Sequence, residues 1–125
     1  MSKPLKMIGI VEDDASMLGA TEALLDAHGF ATLTFSSAEE FLTRGIASQF
    51  DCLVLDIHLG GMSGIELHDR LKALGRDCPV IFVTAIENEG VWRQALQTGC
   101  VACLRKPVPA GQLIEAIAKA GSLKN

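Results

Sequence analysis

A chain of 125 residues with 49% hydrophobic and 21% charged residues is the size and composition of one globular domain with its own core, and Met1 to Asn125 is expected to form a single domain. Eleven basic residues against fifteen acidic ones give a formal charge of -4 without a lysine and arginine cluster, which argues against direct nucleic-acid binding by this chain. No apolar run approaches the ~18 residues that span a bilayer, and the opening Met1-Ser2-Lys3-Pro4-Leu5-Lys6 has no signal-peptide cleavage site, so a cytoplasmic protein without membrane contact is expected.

Short strand-like runs alternate with segments of helical period along the whole chain. Met7 to Val11 reads as the first strand, and Met17, Thr21, Leu24, Leu25 and His28 then recur at helical spacing until Gly29 stops the helix. Ala31 to Phe35 is a second strand. Ser37 with Glu40 three residues on has the form of a capping box, opening a brief helix with Phe41 and Leu42 on its inner side. Cys52 to Leu55 is a continuous apolar run ending on Asp56, the pattern of a central strand in a parallel sheet covered on both faces.

Ser63 and Glu66 form a second capping box, and Leu67, Leu71 and Leu74 supply the next helix with a buried stripe before Gly75. Val80 to Val83 is the fourth strand, ending on Thr84. A helix through Val91, Ala95 and Leu96 ends at Gly99, Val101 to Arg105 is the fifth strand, and Leu113, Ile114 and Ile117 line the last helix. Gly121 to Asn125 reads as its frayed end. Such alternation requires right-handed crossovers, and therefore an α/β fold: a doubly wound parallel sheet of five strands with five helices on its two faces.

The four cysteines, Cys52, Cys78, Cys100 and Cys103, lie in or beside apolar stretches, as buried thiols of a reducing compartment do, and no disulfides are expected. Cys100 and Cys103 form a C-x-x-C, but no second pair completes a zinc site, and on a strand these positions face opposite ways.

In open α/β sheets the ligand site lies beyond the carboxyl ends of the strands. There the first strand delivers Glu12-Asp13-Asp14, the third Asp56, the fourth Thr84 and the fifth Arg105-Lys106-Pro107. Crowded carboxylates become favourable around a hard divalent cation, and Mg²⁺ fits best because it takes one or two carboxylates and leaves room for a phosphoryl oxygen. Phosphoryl transfer needs a nucleophile, a metal, a cation for the developing charge and a donor to hold the product. Asp56 suits the nucleophile, Asp13 a metal ligand, Lys106 the cation and Thr84 the donor. Taken singly, each has a plainer reading: Asp14 as the cap of the first helix, Asp56 as a loop cap, Thr84 as a strand-end hydroxyl, Lys106 as a solvated cation.

The segments Ile10-Val11-Glu12-Asp13-Asp14, Leu53-Val54-Leu55-Asp56, Gly61-Met62-Ser63-Gly64, Val83-Thr84-Ala85 and Leu104-Arg105-Lys106-Pro107 resemble, in order and spacing, the signature of the CheY-like receiver domains of bacterial two-component response regulators. The spacing from Asp56 to Thr84 and Lys106 is similar to that of the nitrogen-fixation regulators of the FixJ type. The resemblance implies the strand order 2-1-3-4-5 of the flavodoxin-like/CheY-like fold, and that Asp56 accepts a phosphoryl group from the phosphohistidine of a histidine kinase. It further implies Asp13 and Asp56 as direct Mg²⁺ ligands, Glu12 acting through a water, the backbone carbonyl of His58 as a further ligand, and a cis peptide between Lys106 and Pro107. Phosphorylation is then expected to draw Thr84 inward and to rearrange the face of the fourth helix, fifth strand and fifth helix, where a downstream protein or a second copy of the chain would bind.

The chain departs from the family pattern at three places. Cys103 stands where most receivers have Tyr or Phe, so the switch is expected to be muted or to use repacking of Cys103 and the helix carrying Trp92. Gly60 stands where proline is frequent, which predicts a mobile loop without Mg²⁺ or phosphate. His58 and Ile86 occupy the positions that influence hydrolysis; Ile86 has no group to orient a water, so a long-lived phosphoryl group is expected. Trp92 is read equally as packed on Leu96 or as a partner contact, and His28 and His68 as helix residues without ligand geometry.

Two other readings compete with a phosphorylation-driven switch. One is a receiver that works by constitutive protein contacts with vestigial phosphorylation, against which the complete set of Asp56, Thr84, Lys106 and the acid pair counts. The other is a small phosphatase of the haloacid dehalogenase class, which resembles Asp-x-Asp where this chain has His58. The same receiver is also compatible with the N-terminal part of a FixJ/LuxR-type transcription factor.

Overall fold

The computed structural model describes residues 6–85 and 87–123. Its elements are β1 (Met7–Val11), α1 (Ala15–Ala27), β2 (Ala31–Phe35), α2 (Ala38–Glu40, continuing as a π-helical turn over Phe41–Gly45), β3 (Cys52–Asp56), α3 (Gly64–Ala73), β4 (Val80–Thr84), α4 (Glu89–Leu96), β5 (Ala102–Arg105) and α5 (Ala110–Leu123). The strands form one parallel five-stranded sheet, as the alternating pattern predicts, in the order β2-β1-β3-β4-β5 that the resemblance implies.

The apolar runs explain which strands lie inside. Every residue of β3 and β4 is buried, whereas the edge strands β2 and β5 are only partly covered. Because side chains alternate along a strand, each face builds its own core. Val11, Leu55 and Phe82 pack towards α2, α3 and α4, and Ile8, Ile10, Val54 and Ile81 pack towards α1 and α5. Fully burying a side chain such as Phe82 contributes about 1.5–3 kcal/mol, so the two layers hold the sheet rigid beneath its carboxyl edge.

The helix ends obey the expected stop signals, with Gly29, Gly75 and Gly99 at φ of 87°, 75° and 83°. Ser63 and Glu66 form the reciprocal capping box. At α2 only half of that motif forms: Ser37 caps Glu40, but the Glu40 carboxylate accepts from the Ser36 N–H and hydroxyl instead of closing back on Ser37. The π-turn that continues α2 is a product of packing. Phe35, Phe41 and Phe50 stack edge-to-face or tilted against one another, and a β-carbon on Gly45 would stand 2.7 Å from the Phe35 ring.

Several expectations are corrected. Leu74 is 57% exposed and Leu96 53%, because both stand at the C-terminal ends of their helices, past the edge of the layer they were expected to line. α5 runs on through Leu123, so the helix does not fray at Gly121; Lys124 and Asn125 lie outside the described residues. β5 begins at Ala102, which leaves Cys100 in the preceding turn, and Cys100 and Cys103 consequently pack against the same apolar cluster instead of facing opposite ways. All four cysteines are free thiols. Burial raises the Cys100 thiol and pushes Cys103 up to about 11, so both behave as small hydrophobes. Among the described residues no helix is long and apolar enough to cross a membrane.

Candidate functional site

The carboxyl edge of the sheet gathers the residues singled out in the sequence. β1 runs out into Glu12, Asp13 and Asp14, β3 ends on Asp56, β4 on Thr84, and β5 passes from Arg105 to Lys106. Asp14 is the N-cap of α1, accepting from the Met17 N–H at 3.0 Å, so its plainer reading holds. Glu12 and Asp56 do something different. Glu12 is 3% and Asp56 4% exposed, depths at which carboxylates need partners, while Asp13 stays exposed at the rim.

The partner is Lys106. Its Nζ lies 2.7 Å from Glu12 Oε1 and 2.9 Å from Asp56 Oδ2, so one ammonium bridges acids from two strands. A solvated lysine is thereby ruled out. Its pKa reflects a contest: burial works against the ammonium, but the hydrogen bonds and charges of Glu12 and Asp56 outweigh burial and hold it above the usual lysine value. For Glu12 the balance tips the other way. Burial raises its carboxyl more than the Lys106 and Asp14 hydrogen bonds lower it.

The backbone fixes this constellation from several sides. The Lys106 N–H donates to the Thr84 carbonyl at 2.8 Å, which ties the start of the lysine segment to the end of β4. The Lys106–Pro107 peptide is cis, as the resemblance implies. The His58 N–H donates to Asp56 Oδ1 at 3.0 Å, and the His58 side chain is exposed. Thr84 is buried at 1% exposure. Ile86 lies outside the described residues.

Two supports of the site are not marked as such in the sequence. Gly64 passes so close to the end of β3 that a β-carbon there would stand 2.3 Å from the Asp56 carbonyl oxygen, nearer than any real contact. Its position in Gly61-Met62-Ser63-Gly64 is visible, but its reason is a backbone approach that only coordinates reveal. Glu39 on α2 accepts from the Met62 N–H at 2.8 Å, a bond that holds its carboxyl below the usual range. With Leu59 buried and the Gly64 N–H on the Ile57 carbonyl, the loop after Asp56 is anchored at both ends, leaving Gly60 and Gly61 as its exposed part.

Glu12, Asp13 and Asp56 each present a carboxylate oxygen, all within 4.8 Å of one another, the only such group of potential metal ligands among the described residues. Hard oxygens at this spacing fit a hard divalent cation. Chemically, the edge combines a buried carboxylate, an ammonium already bonded to it, a cluster of acidic oxygens and a strand-end hydroxyl.

Comparison with known proteins agrees with this geometry. The response regulator receiver domain family matches residues 8–118. The response regulator protein TodT of Pseudomonas putida is 33% identical over 117 residues, covering 94% of this chain and 52% of TodT. The transcriptional regulatory protein FixJ of Bradyrhizobium diazoefficiens is 33% identical over 113 residues, covering 90% of this chain and 55% of FixJ. The chain thus spans about half the length of these curated relatives. A CheY-like receiver domain of Methanospirillum hungatei superposes with a TM-score of 0.89 at 29% identity, covering 96% of each chain. With its sheet order, its acidic edge and a match over nearly its whole length, the chain belongs to the receiver domain family of two-component response regulators.

Proposed function

We propose that Asp56 is the phosphoryl acceptor of this receiver and that Lys106, Thr84 and the acid pair Glu12 and Asp13 serve it. The observation that carries the reading is the bridging of Asp56 and Glu12 by Lys106, with an Asp13 oxygen in the same cluster. Two-component signalling pairs a receiver with a histidine kinase, and the phosphohistidine of that kinase is the donor. A carboxylate oxygen of Asp56 attacks phosphorus, the P–O bond forms as the P–N bond breaks, and the electron pair leaves on the imidazole, which takes up a proton.

Mg²⁺ is the cation the donor set suits; Asp13 and Asp56 would hold it directly, with Glu12 acting through a water and the His58 carbonyl as a further ligand. When bound it neutralises charge on the phosphoryl oxygens. Lys106 is placed to follow the charge outward from Asp56 Oδ2 onto the incoming group, and Thr84 to hold the product through its hydroxyl. The exposed His58 ring and the aliphatic Ile86 offer little help to an attacking water, which supports a long-lived phosphoryl group.

On this reading the domain is cytoplasmic and changes its affinity for a downstream protein, or for a second copy of itself, at the face of α4, β5 and α5. Since the matched relatives are about twice as long, a second form of the reading has the domain controlling an attached output domain, as in FixJ-type transcription factors. The test is incubation with Mg²⁺ and acetyl phosphate, then intact-mass spectrometry. Wild type gains one phosphoryl group and Asp56→Asn none; an equal gain in Asp56→Asn overturns the assignment.

A further inference from the structure

β5 ends on Arg105 and Lys106 follows it directly, two consecutive cations at the site edge that turn to different sides. Lys106 turns to Glu12 and Asp56. Arg105 turns the other way, onto α4: its guanidinium carbon stands 4.9 Å from the centre of the Trp92 ring, and its Nη1 lies 3.7 Å from Glu87 Oε1 in the connection between β4 and α4. Trp92 is half-buried beneath this cover and Leu96, expected to pack with it, is largely exposed.

The contact is built to be breakable. The Glu87 side chain is 88% and the Arg105 side chain 52% exposed, so the ion pair is screened by water and the guanidinium's cation–π contact with Trp92 is the better-defined half of the clasp. It is also directly connected to the site. Arg105 pairs in register with Thr84, whose carbonyl accepts the Lys106 N–H. A shift of Thr84 and Lys106 towards a phosphoryl group therefore moves the same peptide units that carry Arg105. At the neighbouring position of the same face, Cys103 offers only a small, partly buried thiol.

We infer that Arg105 is the positioning residue that couples the phosphorylation site to α4, through a guanidinium contact with Trp92 that is closed in the resting domain and parts when Asp56 carries a phosphoryl group. This rests on Asp56 being the acceptor. The coupling runs along the backbone of β5 and out through an alternate side chain, with no aromatic residue on β5 itself.

Trp92 is the sole tryptophan, so its fluorescence isolates the clasp. Emission and acrylamide quenching are measured with Mg²⁺, before and after acetyl phosphate, on wild type, Arg105→Ala and Arg105→Lys, with intact mass recorded on the same samples. In wild type, phosphorylation shifts emission to the red and raises quenching to the level that Arg105→Ala shows in both states. Arg105→Ala takes phosphate as wild type does but shows no further change, and Arg105→Lys, which keeps the pair with Glu87 but loses the guanidinium's contact with the ring, responds as the alanine variant does. Phosphorylated wild type with unchanged quenching overturns the inference, as does a phosphorylation-dependent rise in Arg105→Ala equal to that of wild type. A wild-type protein that gains no mass is a separate failure, of the acceptor assignment itself.

Discussion

His68 is a buried histidine with one ring nitrogen left over. It is 5% exposed on the inner face of α3, its ring meets Phe82 edge-on at 5.7 Å between centroids, and Nδ1 has no hydrogen-bond partner. A buried polar group without a partner costs about 1–3 kcal/mol. Replacing His68 by leucine removes that cost but also the ring contact, worth about 0.5–1.5 kcal/mol, so His68→Leu is expected to gain about 1 kcal/mol near neutral pH. Acid widens the gap. Burial, and secondarily the Lys72 charge, holds the folded pKa below the ordinary 6.5, so below that value the unfolded chain binds a proton that the folded one refuses. Wild type therefore loses stability as pH falls from 6.5 towards the folded pKa, by up to about 1.4 kcal/mol per pH unit, and His68→Leu loses that share of the slope. Urea denaturation of both proteins at about pH 7.5 and about pH 5.5 measures the difference, with exposed His28 and His58 common to both. A leucine variant less stable than wild type at both pH values, or an identical pH dependence in the two, refutes the reasoning.

Removing Lys106 leaves two buried carboxylates without their shared cation, and Lys106→Ala is expected to lose about 3–5 kcal/mol by thermal or urea unfolding without divalent ions. Added Mg²⁺ recovers part of that loss by binding the folded state, and the same deficit with and without Mg²⁺ contradicts the proposed cation site. Gly64→Ala forces a β-carbon into the Asp56 carbonyl and is expected to cost at least about 1–3 kcal/mol and to slow acetyl phosphate labelling, whereas Gly60→Ala would meet only Asp13 Oδ2 at 4.0 Å and is expected to stay within about 1 kcal/mol of wild type. Cys103→Phe places a ring beside Phe82 at the register position next to β4 and is expected to enlarge the difference in partner affinity between phosphorylated and unphosphorylated protein; equal affinities for variant and wild type in both states contradict a role for this position.

Period and composition carry the parts of the fold that are legible in the sequence. The unbroken apolar run from Cys52 to Leu55 could only be a strand covered on both faces, and with four more such runs between helical segments it placed Asp56, Thr84 and Lys106 at one edge. The rest depends on where elements stop and on non-local contacts. Leu74 and Leu96 continue an apolar stripe in sequence, but the layer beneath them ends before they do. The π-turn over Phe41–Gly45 answers to three phenylalanine rings distant from one another in sequence. Met62, the partner of Glu39, is likewise 23 residues away, and the partners of Arg105 lie on α4 and the connection before it, where no periodicity points.

The charge balance at the site gives the acid cluster a reason to need more than Lys106. With all groups ionised, Glu12, Asp13 and Asp56 set three negative charges against one ammonium, so the cluster carries an excess of two. At separations near 4 Å each like-charged pair costs about 4 kcal/mol in a partly buried setting. Part of that cost is met locally: Lys106 sits between the two buried acids, and the third, Asp13, stays exposed where water screens it. The Glu12 carboxyl stays raised chiefly because it is buried, and the neighbouring Asp56 adds to the rise despite the Lys106 ammonium. A divalent ion cancels the excess outright, and a phosphoryl group then restores a negative charge that Lys106 is positioned to meet. On the proposed function, acceptance of phosphate by Asp56 is coupled to the movement of Lys106, and through the adjoining peptide to its neighbour Arg105 at the end of β5.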